Sequence, residues 1–215
     1  MILLRNVTHQ LKARSKGRHL LTNQTLTIGD REKIGIHAEP SAGKTTLARL
    51  LCKAIEPTFG EVYHTGSVSW PMGIASTIHG ELTIGENVTI IARLASGFPE
   101  RAENTFWILA NGQFNPSQIA KTLSPMERAV MGFYLSLMTP RQHYIFDEKM
   151  SVGTAEQQAL QRSHLKRRMQ AAGMVLISRN KRLIREHTNR FFELISGRLI
   201  EVSPSEFKSK AVQHV

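Results

Sequence analysis

"AEPSAGKTT", residues 38–46, lies between a short apolar run, "KIGIH" (33–37), and a stretch with helical apolar spacing, "TTLARLLCKAI" (45–55). It matches the phosphate-binding pattern Gly, four residues, Gly-Lys-Ser/Thr at Gly43, Lys44 and Thr45, but Ala38 stands where the leading glycine belongs. Successive backbone N–H groups in such a loop, set ahead of a helix N-terminus, form a concavity that binds anions. Ala38, Glu39, Pro40, Ser41, Ala42, Gly43, Lys44, Thr45 and Thr46 are therefore candidate nucleotide-binding residues. Lys44 would neutralise the β- and γ-phosphates, and the Thr45 hydroxyl would bind Mg²⁺. Alanine at 38 is tolerable while its φ stays negative. Ser41 occupies another position where glycine is usual, and a left-handed serine costs roughly 1–2 kcal/mol. Pro40 removes one N–H donor. On this fragment alone, a plain small-residue turn ahead of a helix remains open.

The surroundings narrow the choice. "ILLRNVT" and "LLTNQTLTI" read as strands, the second ending at the turn signal "GDRE". Leu47, Leu50, Leu51 and Ile55 share one helix face, so the loop connects a strand to a helix. "GEVYHTGSVSW" reads as a hairpin, and "GENVTIIARLASG", "RAENTFWILANG" and "LSPMERAVMGFYLSLM" as helices. "HYIFDE" is a strand ending in two acids, "AEQQALQRSHLKRRMQ" a polar helix, "GMVLIS" a buried strand, and "RFFELISGRLIEV" a closing β-hairpin. Strands alternating with helices predict an α/β fold with a mixed sheet, whose antiparallel portion comes from the N-terminal strands. No repeat, low-complexity tract or long linker divides the 215 residues, so one domain over 1–215 is expected.

Composition excludes several classes. Hydrophobic content of 41% with 21% charged residues suits a folded globular chain. No run of about 18 apolar residues offers a membrane span, and "MILLRNVTHQ" lacks a signal-peptide core. The one cysteine, Cys52, excludes an internal disulfide and fits a reducing setting. None of the nine histidines falls in an H-E-x-x-H or Cys/His cluster, so a zinc site is not expected. The net charge of +11, dense between Arg162 and Arg190, favours polyanions or an anionic membrane surface. A solvated basic helix face explains it equally well. The chain carries no recognisable nucleic-acid module, so nucleic acid is not an expected partner, and a nucleic-acid-associated ATPase is the weaker alternative.

Asp147 and Glu148 close "HYIFDE". An acid at that strand end can enter the Mg²⁺ shell, and the next can stand beside an attacking water.

Taken together, "AEPSAGKTTLARLL", "FGEV", "VSWPMGIASTIHGELTIGENVTIIARL", "LSPMERAVMGFYLSL", "YIFDE" and "SGRLIEV" cover essentially the whole chain. In these pieces and their order the chain resembles the nucleotide-binding subunit of an ATP-binding cassette (ABC) transporter, within the subgroup that exports capsular polysaccharide. "SWPMG" and "LTIGEN" carry the subgroup resemblance. It implies a P-loop NTPase fold of the ABC ATPase type with a helical subdomain over roughly 84–140. The cofactors implied are ATP and Mg²⁺, with Thr45 and Asp147 at the metal and Glu148 as the catalytic base. The partners implied are a membrane permease and a second nucleotide-binding subunit, identical or different. Peripheral attachment at the cytoplasmic face of the inner membrane follows, with Trp70 to Asn87 helping to form the permease groove. Trp70 also fits as a plain core aromatic.

The chain departs from that pattern where the partner's nucleotide would be met. Ser124-Pro125-Met126-Glu127 replaces Ser-Gly-Gly or Ser-Gly-Met at the signature helix. Pro125 has no N–H, Glu127 adds negative charge, and the four residues also spell an ordinary capping box. Arg179 stands at the switch-histidine position, Thr154 where the subgroup has aspartate, and Leu11 and Leu20 where an adenine-stacking tyrosine is expected. These changes imply weak Mg-ATP binding and slow hydrolysis. A non-hydrolysing structural or regulatory cassette is the alternative.

Overall fold

The computed structural model describes residues 1–10, 19–72 and 77–209. They fall into two compact units. One takes in Met1–Pro71, Gln142–Lys149 and the chain from Met169 onward; the other takes in Met72–Arg141 and Met150–Arg168.

The first unit holds two sheets. β1 (Ile2–Gln10), β2 (His19–Ile28) and β4 (Phe59–His64) form an antiparallel sheet in the order β2-β1-β4. β3 (Lys33–His37), β5 (Val68–Pro71), β6 (His143–Asp147), β7 (Gly173–Ser178), β8 (Arg190–Ile195) and β9 (Arg198–Val202) form the second, in the order β5-β6-β7-β3-β8-β9. Its pairs are parallel except β8–β9, a hairpin turned at Ser196 and Gly197, both with positive φ (48° and 78°). That combination is the two-residue turn whose twist matches the flanking strands. β7 is buried along its whole length, which explains its apolar run from Met174 to Ile177.

α1 (Lys44–Leu51) lays Leu47, Leu50 and Leu51 into a core shared with Ile2, Leu4 and Val7 of β1 and Ile34 and Ile36 of β3. Each such side chain contributes about 1.5–3 kcal/mol. The helix stops earlier than its spacing predicts. Lys53 takes a left-handed φ of 58°, and the N–H groups of Lys53 and Ala54 return to the carbonyls of Leu50 and Arg49 at 3.0 and 2.8 Å. This is a Schellman stop built without its usual glycine, which hid it from the sequence. Ile55 still packs on the core.

The expected hairpin over "GEVYHTGSVSW" does not form. β4 pairs with β1, whereas β5 pairs with β6, so the chain crosses between sheets at Thr65–Ser67. The Thr65 N–H bonds the Met1 carbonyl at 3.1 Å, and the Ser67 carbonyl accepts from Gln142 N–H at 3.0 Å. The turn residues thus bond outward to neighbours on each sheet. α6 (Lys181–His187) and α7 (Pro204–Ser209) complete this unit. α6 packs close on β3: a Cβ at Gly35 would come within 2.1 Å of Ile184 Cγ2.

The second unit is helical: α2 (Ile84–Ala95), α3 (Pro99–Ala110), α4 (Pro125–Leu137) and α5 (Ala155–Arg168). α2 and α4 each open with a complete capping box, Thr83 with Glu86 and Ser124 with Glu127. Gln157 and Thr154 cap α5 reciprocally: Thr154 N–H donates to Oε1 of Gln157 (2.9 Å), and Gln157 N–H donates to Oγ1 of Thr154 (3.3 Å). Threonine at 154 therefore keeps a capping role. No helix among the described residues is long and apolar enough to cross a membrane.

Burial, as the largest cause, holds the imidazoles of His9, His37, His64, His143 and His164 below their ordinary pKa of 6.5. As pH falls through about 6.5 the unfolded chain takes up protons that the folded chain refuses. Stability is therefore full above that value and declines below it. The melting temperature, followed by circular dichroism, is expected to drop steadily from about pH 7 to about pH 5; a flat profile would contradict this burial pattern.

Candidate nucleotide site

Parallel register brings the candidate residues to the C-terminal ends of neighbouring strands, where open α/β sheets bind ligands. β3 runs into the loop over residues 38–43, and β6 delivers Asp147 and then Glu148. β7 delivers Ser178 and Arg179 beside them, Asp147 pairing with Ile177.

The loop takes the conformation that its sequence resists. Ser41 sits at φ 62° and Gly43 at φ 96°, while Ala38 stays out of the left-handed region. The serine therefore carries the roughly 1–2 kcal/mol expected of it. Ala38 is buried, so its methyl group is accommodated in the core. α1 begins at Gly43 with no side-chain cap and no acid in its first turn. Its N-terminal N–H groups and partial positive charge are left for an anion.

Four side chains meet at this end. The Thr45 hydroxyl donates to Oδ2 of Asp147 at 2.6 Å. Oδ1 of Asp147 is buried and has no hydrogen-bond partner among the described residues, as a carboxylate oxygen meant for a cation would be. Mg²⁺ takes one or two protein carboxylates and completes its shell with water and phosphate oxygens. The Thr45–Asp147 pair fits that ion. When bound, it would neutralise phosphate charge. Groups of three or more His, Cys, Asp or Glu fit to hold a metal do not occur among the described residues.

Lys44 reaches back over its own loop. Its ammonium donates to the carbonyls of Ala38 (3.3 Å) and Glu39 (3.0 Å) and pairs with Oε1 of Glu148 at 3.1 Å. Oε2 of Glu148 accepts from the Ser178 hydroxyl at 3.1 Å and from the Arg179 N–H at 3.4 Å. Burial pushes the Glu148 carboxyl up, but Lys44 and the Arg179 and Ser178 donors outweigh it and hold the pKa below the usual carboxylate range. Glu148 is thus ionised and able to accept a proton. Its backbone is constrained as well. It has φ 70°, and Lys149 N–H closes onto the Asp147 carbonyl at 2.9 Å, a γ-turn of the strained hand. Such strain costs on the order of 1–3 kcal/mol, and the 2.8 Å bond from Glu148 N–H to the Ile177 carbonyl holds it in place.

Sequence reasoning passed over Ser178 as a ligand of Glu148. The signal lay in the fold, since only the pairing of β6 with β7 sets the two side by side. Arg179 is exposed, and its backbone is what contributes here. Ser124 lies in the helical unit with its hydroxyl accepting from Glu127 N–H at 3.2 Å, while Glu127 accepts from Ser124 N–H at 2.8 Å. Leu20 is buried in the core and presents no face for stacking; Leu11 falls outside the described residues.

Strand, phosphate loop and helix on a mixed sheet, with an antiparallel sheet and a helical unit, give the chain the P-loop NTPase fold of the ABC ATPase type. The dimeric ATP-binding cassette MJ0796, in a post-hydrolysis state bound to ADP and Pi, has the same fold. Its TM-score is 0.77 at 19% identity over 94% of this chain and 98% of that one. Within that class the chain is similar to the ATP-binding protein BexA of Haemophilus influenzae, 28% identical over 92% of this chain and 91% of the relative. It is likewise similar to the capsule polysaccharide export ATP-binding protein CtrD of Neisseria meningitidis serogroup B, 26% identical over 94% and 93%. No family model matches the chain. The resemblance to the capsule-export ABC subgroup is borne out.

Proposed function

We propose that this chain is the ATP-binding subunit of an ABC exporter, coupling ATP binding and hydrolysis to the export of a capsule-type polysaccharide across the inner membrane. The observation that carries the nucleotide chemistry is the meeting of Lys44, Thr45, Asp147 and Glu148, with one Asp147 oxygen left unpartnered. Similarity to CtrD over nearly the full length supports the cargo class.

On this reading residues 1–215 make one nucleotide-binding domain whose helical portion runs over roughly 84–140. The loop backbone from Ala38 to Thr46 cradles the phosphates, Thr45 and Asp147 hold Mg²⁺, and Glu148 takes a proton from the attacking water. Ser124 meets the nucleotide of a second cassette, identical or different, and Arg179 occupies the switch position. The pair sits under a permease at the cytoplasmic face. Hydrolysis is slow, because Pro125 removes a donor and the capping box occupies Ser124.

Cells in which Lys44→Ala replaces the wild-type residue are expected to lose surface polysaccharide while the variant still co-purifies with the permease. Unchanged export would contradict the proposal. Lys44-dependent ATP binding with no turnover would point instead to a non-hydrolysing cassette.

A further inference from the structure

The segment that leaves Glu148 is gripped by glutamines of α5. Lys149, Met150 and Ser151 separate Glu148 from Val152. Val152 N–H donates to Oε1 of Gln161 at 2.8 Å, and the Gly153 carbonyl accepts from Nε2 of Gln158 at 2.9 Å. Thr154 N–H donates to Oε1 of Gln157 at 2.9 Å. Each residue from 152 to 154 thus has a backbone group tied to a side chain of the helix that follows. Gly153 takes φ 98°, and a Cβ there would come within 2.8 Å of Val130 Cγ2 on α4. The segment lies against α4 as closely as glycine permits.

Capping of α5 explains the bond between Thr154 and Gln157, but not the other end of the Gln157 amide. Its Nε2 donates to Oε1 of Gln113 at 3.0 Å, and Nε2 of Gln113 donates to the Tyr134 hydroxyl at 3.0 Å. Tyr134 is fully buried on α4, four residues beyond Val130 and on the same face. Both ends of the Gln113 amide are therefore used, and each meets a different helix. Its backbone is fixed as well. Gln113 N–H donates to the Ala110 carbonyl at 3.0 Å, and the adjoining Phe114 stacks on Phe106 with centroids 6.2 Å apart. An unbroken chain of hydrogen bonds, Thr154–Gln157–Gln113–Tyr134, joins the segment after Glu148 to α4.

We propose that Gln113 is a positioning residue for Glu148: by bridging Gln157 to Tyr134 it locks residues 152–154 onto α4 and takes up the slack in the chain leaving the carboxylate. Glu148 sits at a strained φ of 70°, and such a backbone persists only where its surroundings over-determine it. The Ile177 carbonyl holds Glu148 N–H directly, and the fixed segment restrains the chain on the C-terminal side. This role rests on the hydrolytic part given to Glu148 above and extends it to a residue of the loop after α3. Leucine at 113 makes neither bond and leaves the α5 cap in place. Glutamate accepts from Gln157, and it also accepts from the Tyr134 hydroxyl, which can turn to donate.

The full-length chain carrying Gln113→Leu, Gln113→Glu or Tyr134→Phe tests this by hydrogen exchange and steady-state kinetics. Gln113→Leu is expected to speed amide exchange at Val152 and Thr154 about tenfold, the worth of one hydrogen bond, and to leave α1 unchanged. It is also expected to lower kcat about tenfold, a fraction of the ~10²–10⁴ that a positioned base contributes. KM for ATP should hold within about twofold, since Lys44 and Thr45 are untouched. Gln113→Glu should recover most of both effects. Tyr134→Phe removes the last link alone and should speed the same two amides, so it decides the matter if Gln113→Leu fails to fold. Unchanged exchange at Val152 and Thr154 would overturn the proposal. So would a loss of kcat, KM and α1 protection together without rescue by glutamate, which marks a purely structural role. Should the wild-type chain show no turnover, Glu148's role falls while the exchange measurement still decides whether Gln113 locks the segment.

Discussion

Glu148→Gln is expected to lower ATP turnover by about 10²–10⁴-fold while leaving Mg-ATP bound as tightly as before, or more tightly. Glutamine keeps the shape of the side chain and can still accept from Ser178 and the Arg179 N–H, so these two donors keep their partner. What it loses is the capacity to take a proton from water. The gain in affinity follows from the ion pair at 3.1 Å between Lys44 and Glu148. Phosphate must draw Lys44 away from that carboxylate when it binds, and it must then sit near the carboxylate's negative charge. Removing the charge lifts both costs. Phosphate release and calorimetry on the same preparation check the two halves. A variant that turns over at the wild-type rate would remove Glu148 from the chemistry.

The second large effect runs the other way. The variant carrying Pro125→Gly with Glu127→Gln is expected to raise turnover, by up to about 10²–10³. At the start of α4 Pro125 has no N–H, Glu127 N–H is taken by the Ser124 hydroxyl, and Ser124 N–H is taken by the Glu127 carboxylate. A helix start that, on the proposed reading, would offer donors to the phosphate of a second cassette is instead satisfied internally and carries a negative charge. Glycine returns one N–H. Glutamine removes the charge yet can still complete a capping box, so the helix keeps its start. An unchanged rate, with the fold intact by circular dichroism, would mean that the signature helix is not what limits hydrolysis.

Much of this was legible in the chain. Lys44, Thr45, Asp147 and Glu148 announce themselves through local spacing, and the structure brings these four together. Strand and helix periodicity located β1 to β3 and α2 to α5. The readings that missed did so for physical reasons. α1 ends at a left-handed lysine, a stop that composition does not advertise. The β4–β5 segment carries every local mark of a hairpin, yet which strand pairs with which is settled by long-range partners. α6 lies within a basic stretch whose charge masked the single buried Ile184 on its inner face. Ser178 is far from Glu148 in sequence and becomes its support only through the pairing of β6 with β7. Ser124 shows the converse: the capping box was already visible in four letters, and the structure forms it in full.

The central claim is that residues 38–46 and Asp147 hold the charged end of a magnesium nucleotide despite the missing glycine. Titration calorimetry of ATP into the wild-type chain and into Lys44→Ala, each with Mg²⁺ and with chelator, tests it most directly. Binding is expected to weaken when Mg²⁺ is removed. Lys44→Ala is expected to lose about 10–10²-fold in affinity, the worth of one charge-assisted hydrogen bond of about 1.5–3 kcal/mol. Equal affinities for the two chains, or no heat of binding in the wild type with Mg²⁺ present, would contradict it.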